Sequence, residues 1–142
     1  MLSDVEIEES LASGELVIAP FERAYLNGAG YDLRVEGEVT IPPGRYNLVA
    51  TLERVELNEN LAGTLHIRSS LARVGVVASL ALVDPGFRGQ LTVSLYNAGT
   101  NPFSLARNVR FLQIVFHRLG IKTRRPYEGR YQDSQGIVHV RR

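Results

Sequence analysis

Gln90-Leu91-Thr92-Val93-Ser94-Leu95 (residues 90–95) alternates polar and apolar side chains without a break. Successive side chains of a strand point to opposite faces, so this pattern buries the leucines and the valine and leaves the other three on a wetter face. The reading extends outward in both directions. Short apolar or alternating runs recur at 15–20, 31–41, 46–57, 63–69, 73–83, 101–106 and 109–119. Turn signals divide them: Asn27-Gly28, Pro42-Pro43-Gly44, Asn58-Glu59-Asn60, Pro85-Gly86 and Gly99-Thr100-Asn101-Pro102. Many short strands between regular turns predict an all-β fold, a sandwich or a distorted jelly-roll barrel. The apolar residues of 73–83 read as a pair of core strands.

One helix precedes the strands. Ser3 stands three residues before Glu6, the spacing of a capping box, and Gly14 is suited to a C-terminal stop. Ile7 and Leu11 share a face, so a short amphipathic helix is expected from Asp4 to Ser13. The last residues, 121–142, are polar and rich in arginine, tyrosine and glycine, without periodicity. Composition leaves them either as a solvated terminus or as an arm that folds over an anionic ligand, on its own subunit or a neighbouring one.

The 142 residues suit a single domain, 1–142, with 44% hydrophobic and 22% charged side chains. A formal net charge of +1 argues against a strong electrostatic nucleic-acid binder. With no cysteine there is neither a disulfide nor a thiolate metal site. No apolar run reaches transmembrane length and the first residues are acidic, so a cytoplasmic protein with no membrane partner is expected.

Polar residues that interrupt the apolar runs are the candidates for chemistry. In Arg68-Ser69-Ser70-Leu71-Ala72-Arg73, two guanidinium forks and two hydroxyls around a turn match the donors that phosphate oxygens require. The same composition also describes an exposed strand end. Asp84 precedes the turn Pro85-Gly86-Phe87 and reads in two ways: an acceptor of a turn hydrogen bond, or a carboxylate at a rigid strand end that holds a water or a sugar hydroxyl. Asp32, beside Arg34 in a strand, reads as structural. Arg110 and Gln113 are polar intrusions in an apolar strand and need partners. His66, His117 and His139 lack metal-ligand spacing.

Taken in order, LSD (2–4), GYDLR (30–34), RSSLARVGV (68–76), VDPGFRGQLTVSLYNAG (83–99), VRFLQIVF (109–116) and RPYEGRYQDSQG (125–136) resemble the dCTP deaminase/dUTPase superfamily. The nearest likeness is to the deaminase-like dUTPases of archaea. The resemblance implies a dUTPase-like β-barrel, a homotrimer with shared active sites, and a deoxynucleoside triphosphate substrate with Mg²⁺ held through its phosphates and waters. It also separates two activities. Deaminases of the family carry a glutamate that drives proton transfer at the cytosine ring, where this chain has Ser94. The segment before Asp84 is also two residues shorter than its deaminase counterpart. The resemblance therefore implies a dUTP pyrophosphatase, with dCTP deamination or a catalytically silent nucleotide-binding protein as alternatives. It gives Asp84 the attacking water and Arg68, Ser69, Ser70, Arg73 and Gln113 the phosphates. Main chain at Thr92 and Val93 would read the pyrimidine, Phe87 would pack on the deoxyribose, and Tyr127 and Arg130 would close a lid formed by 121–142.

Overall fold

The computed structural model describes residues 1–142. Helix α1 (Asp4–Ser13) forms as the capping box dictates. The Ser3 hydroxyl accepts from the Glu6 amide, the Glu6 carboxylate accepts from the Ser3 amide, and Gly14 closes the helix in the left-handed region. Ile7 is fully buried and Leu11 packs beside it, so the predicted face is the one that docks.

Ten strands follow: β1 (Leu16–Ala19), β2 (Leu26–Asn27), β3 (Gly30–Arg34), β4 (Val39–Ile41), β5 (Tyr46–Leu57), β6 (Leu61–Ile67), β7 (Val76–Ser79), β8 (Arg88–Asn97), β9 (Phe103–Leu105) and β10 (Arg110–Arg118). They make two four-stranded antiparallel sheets, β1-β5-β8-β7 and β2-β3-β10-β6, and a small β4-β9 pair. The alternation of residues 90–95 holds: Leu91, Val93 and Leu95 are buried while Gln90, Thr92 and Ser94 are on the other face of β8. The core lies between the large sheets, where Leu57, Val93 and Leu95 share one cluster with Tyr31, Leu112, Ile114 and Phe116. No helix is long and apolar enough to cross a membrane.

Two expectations need correction. Residues 31–41 are not one strand: β3 and β4 belong to different sheets, and the chain breaks between them at Glu36-Gly37-Glu38. Nor is 73–83 a pair of core strands. Only Val76–Ser79 is strand, and Arg68-Ser69 leads into a four-residue helix, α2 (Ser69–Ala72). Val76 and Val83 are buried, but Val74, Val77 and Leu82 are more than half exposed. Apolar character there marks residues that a single chain leaves uncovered.

Candidate functional site

A cavity of about 450 Å³ lies beside β8, at the edge that β7 leaves uncovered. Asp84, Phe87, Thr92, Val93, Ser94 and Tyr127 are among its lining residues, and Asp84 is its one carboxylate. Backbone bonds exchanged between Val83 and Gly63 fix the approach to Asp84. The turn that follows is closed by the Asp84 carbonyl, which accepts from the Phe87 amide. The Asp84 side chain takes part in no ion pair and accepts no hydrogen bond within the chain, so the turn is closed by its backbone carbonyl and not by its carboxylate. Gly86 has φ +87°, and a Cβ there would stand 2.7 Å from Pro126 Cβ. Only glycine lets the turn and the C-terminal segment meet.

β7 ends at Ser79, opposite Ser94, so β8 has no strand on that side before Ser94. The Gln90 amide points that way, to the Ser134 carbonyl. By strand alternation the Thr92 amide and carbonyl point into the same gap. Main-chain groups at Thr92 are thus available to a flat polar ring, while the Val93 side chain is in the core. Phe87 is itself buried and meets Tyr127 edge-on at 5.6 Å.

The C-terminal segment lies along β8 of its own chain. Asp133 ion-pairs with Arg88 (3.1 Å) and Arg54 (2.7 Å), and Gln132 accepts from the Arg88 amide. The Gly136 amide donates to Gln90, and the Val138 amide to the Thr92 hydroxyl. Arg88 first, and Arg54 beside it, hold the Asp133 carboxyl at about 2. Because the folded value is depressed below the ordinary 3.8, the hold is full above that value and fades as pH falls toward 2. Both partners are exposed, so salt screens the pair. Asp133→Asn at neutral pH, or about 1 M salt on the wild type, is expected to speed hydrogen exchange at the Gly136 and Val138 amides. Unchanged exchange in both would show that this ion pair does not hold the segment.

The anion-binding candidates lie elsewhere. Ser69 and Ser70 sit on α2 and Arg73 follows as its C-cap, all three exposed, with Leu71 as the helix's buried peg. Arg73 lines a separate cavity with Thr100 and Ser104. Arg68 Nε reaches Asp32 Oδ2 at 3.2 Å, and Arg110 Nη1 reaches the same oxygen at 3.3 Å. Asn27 donates to Asp32 Oδ1 at 2.9 Å. Sequence reasoning treated Asp32 as structural and noted Arg110 without a partner; no local pattern links β3 to residues this far along the chain. Gln113 is half-buried over Gly30, where a Cβ would stand 2.8 Å from its Nε2. Arg130 bonds the Arg141 carbonyl and does not line the cavity. Asp84 lies beside Ala62 of β6, and Arg68 is six residues farther along, about 20 Å at the usual strand rise. One chain therefore holds the carboxylate and the guanidiniums at opposite ends.

Beside the cavity, Tyr46, Tyr96 and Val77 form one exposed cross-strand row. On the other sheet, His66 and His117 both reach the Thr64 hydroxyl, at 3.2 and 3.0 Å. No group of three or more His, Asp or Glu side chains converges as a metal site.

A family model described as dCTP deaminase-like matches residues 35–119. A dCTP deaminase of Pyrococcus horikoshii is 47% identical over 143 aligned residues, covering 90% of this chain and 92% of that protein. A dUMP-forming dCTP deaminase of Aquifex aeolicus is 32% identical, covering 99% and 94%. Among solved structures, the native EIAV dUTPase superposes with a TM-score of 0.64 at 23% identity, covering 81% of this chain and 98% of that one. The 2′-deoxycytidine 5′-triphosphate deaminase of Agrobacterium tumefaciens gives 0.71 at 18% identity, covering 84% and 48%. At these identities the structural likeness speaks for the fold.

Proposed function

The chain belongs to the dCTP deaminase-like family, and from that premise we propose that it hydrolyses dUTP to dUMP and pyrophosphate. One observation carries the choice of reaction: Asp84 is the one carboxylate lining the cavity beside β8, and its side chain has no ion-pair partner. A carboxylate so placed orients a water, accepts its proton, and directs its oxygen at the α-phosphorus as the bond to the β-phosphate oxygen breaks. Thr92 main chain meets the pyrimidine edge, and Phe87 with Tyr127 walls the deoxyribose. Arg68, Ser69, Ser70, Arg73 and Gln113 receive the phosphates, and the segment 121–142 with Tyr127 and Arg130 is the lid that excludes water.

The distance between Asp84 and Arg68 supports a site shared between copies, with the guanidiniums of one chain brought to the cavity of the next. The exposed row Tyr46, Tyr96 and Val77 supplies an apolar surface for such contact, and a homotrimer is the assembly we propose. The side chains make no cage for Mg²⁺, since both Asp32 oxygens are already bonded. A Mg²⁺ ion would be held through the substrate's phosphates and waters, with no side chain of this chain as its ligand, and would supply charge neutralisation there.

The names of the Pyrococcus and Aquifex relatives favour a second reading, deamination of dCTP. Against it stand Ser79 and Ser94 at the base end of the cavity, where proton transfer to a ring needs a titratable group. Purified chain with Mg²⁺ and either dUTP or dCTP separates the readings. Pyrophosphate from dUTP with no ammonia from dCTP is the expected result. Ammonia from dCTP would overturn the use made of Ser94, and no product from either would point to a silent binding protein.

A further inference from the structure

The face of the β2-β3-β10-β6 sheet that carries Asp32 holds a linked array of charges. Glu53, fully buried, accepts from Arg34 Nε at 2.7 Å and from the Arg34 amide at 2.9 Å. Arg34 also donates to the Pro20 carbonyl. Its guanidinium carbon lies 5.1 Å from the centre of the Tyr25 ring, and that of Arg110 lies 4.9 Å from the same ring. Arg110 continues to Asp32, and Asp32 to Arg68. The chain of contacts thus runs from a core carboxylate to two half-exposed guanidiniums.

Charge in this array does not balance. Glu53 and Asp32 carry two negative charges against three guanidiniums, and no further carboxylate pairs with Arg68 or Arg110. Each of those two arginines is shown spending one nitrogen on Asp32, which leaves most of its fork free. Their side chains are 31% and 37% exposed, so the unspent donors reach solvent. A buried anchor, a shared carboxylate oxygen and a stacked ring restrict where those forks point. Restricting two flexible cations before the anion arrives lowers the entropy lost on binding it.

We propose that Tyr25 is a positioning residue for phosphate binding: its ring, stacked on Arg34 and Arg110, aims Arg110 beside Arg68 at the polyphosphate of the substrate. Arg110 thereby joins the phosphate-contacting set. The proposal rests on the assignment of Arg68 to the phosphates and holds for either reaction at the base or the α-phosphorus. The stack acts through the ring, since the Tyr25 hydroxyl makes no hydrogen bond to another group of the chain.

The test uses the full chain and inorganic pyrophosphate as probe, with deoxyuridine as a control that lacks phosphate. Tyr25→Leu is expected to weaken pyrophosphate binding by calorimetry, and to raise KM for the triphosphate, by about fivefold. Deoxyuridine inhibition stays unchanged and kcat stays within about twofold. Tyr25→Phe restores wild-type behaviour. Wild-type pyrophosphate affinity in Tyr25→Leu, or an equal loss in Tyr25→Phe, overturns the proposal. Weakened deoxyuridine binding also overturns it, by exposing a general structural defect. Should Tyr25→Leu not fold, Arg110→Gln is read instead, and unchanged pyrophosphate affinity there overturns it. Arg68→Ala separates the underlying reading: if that variant binds pyrophosphate normally, the phosphate assignment itself fails. If it binds weakly while Tyr25→Leu binds normally, only the role of Tyr25 is lost.

Discussion

Asp84→Asn is expected to lower kcat for dUTP by about a thousandfold, the usual weight of a positioned general base, with KM changed by no more than about threefold. Asparagine keeps the shape and can still hydrogen-bond a water, but it does not take the proton as the oxygen attacks. Because the Asp84 carboxylate pairs with no charged side chain, its replacement strands no buried partner. Thermal stability should stay near that of the wild type. Steady-state pyrophosphate release, together with binding of a non-hydrolysable dUTP analogue, makes the measurement. Retained hydrolysis would remove Asp84 from the role proposed for it. Lost analogue binding would show that it positions substrate instead.

Glu53→Ala should have the largest effect on stability. Glu53 is fully buried, and the Arg34 side chain is only 11% exposed. Removing the carboxylate leaves a guanidinium in the interior with the Pro20 carbonyl and the Tyr25 ring as its remaining partners. It also orphans the Arg34 amide. Breaking such a pair from one side costs about 3–5 kcal/mol, which for a chain of this length lowers the Tm by about 10 °C. Glu53→Gln keeps an acceptor for one of the two Arg34 donors, removes the buried negative charge, and should lose less than the alanine variant. Replacing both partners, Arg34→Met with Glu53→Leu, should recover much of the difference, since neither charge is then stranded. A single Glu53→Ala variant that melts within about 2 °C of wild type would show the pair to be dispensable. As Arg34 also packs on Tyr25, the same variant should bind pyrophosphate less well.

The parts of this fold that were legible from sequence are those set by neighbours in the chain. Ser3 and Glu6 cap α1 because both atoms they need lie within one turn. Gln90 to Leu95 alternate because a two-sided strand demands it. Residues 46–57 read as a strand and form β5. The parts that were not legible depend on distant residues. Val74, Val77 and Leu82 looked like core, yet nothing in one chain covers them. The break of 31–41 into two sheets is decided by β9 and β10, which pair with β4 and β3 respectively. Within the candidate site, Asp84, Phe87, Thr92, Val93 and Tyr127 line one cavity. The link of Asp32 to Arg68 and Arg110 joins β3, β10 and the residue between β6 and α2, and carries no local signature.

The hold of Thr92 and Gln90 on Val138 and Gly136 has a further consequence. For the lid proposed above, the tether to the strand it covers would make closure an intramolecular event, with an effective concentration set by the linker between β10 and Tyr127. Dilution of the protein leaves that closure untouched, whereas an arm exchanged between copies would open as the copies part. Lengthening the linker with glycine and serine should weaken closure only gradually, since each doubling of a flexible loop adds about 0.6 kcal/mol. The cover is thus adjustable by chain length alone, without altering a single residue that touches the cavity.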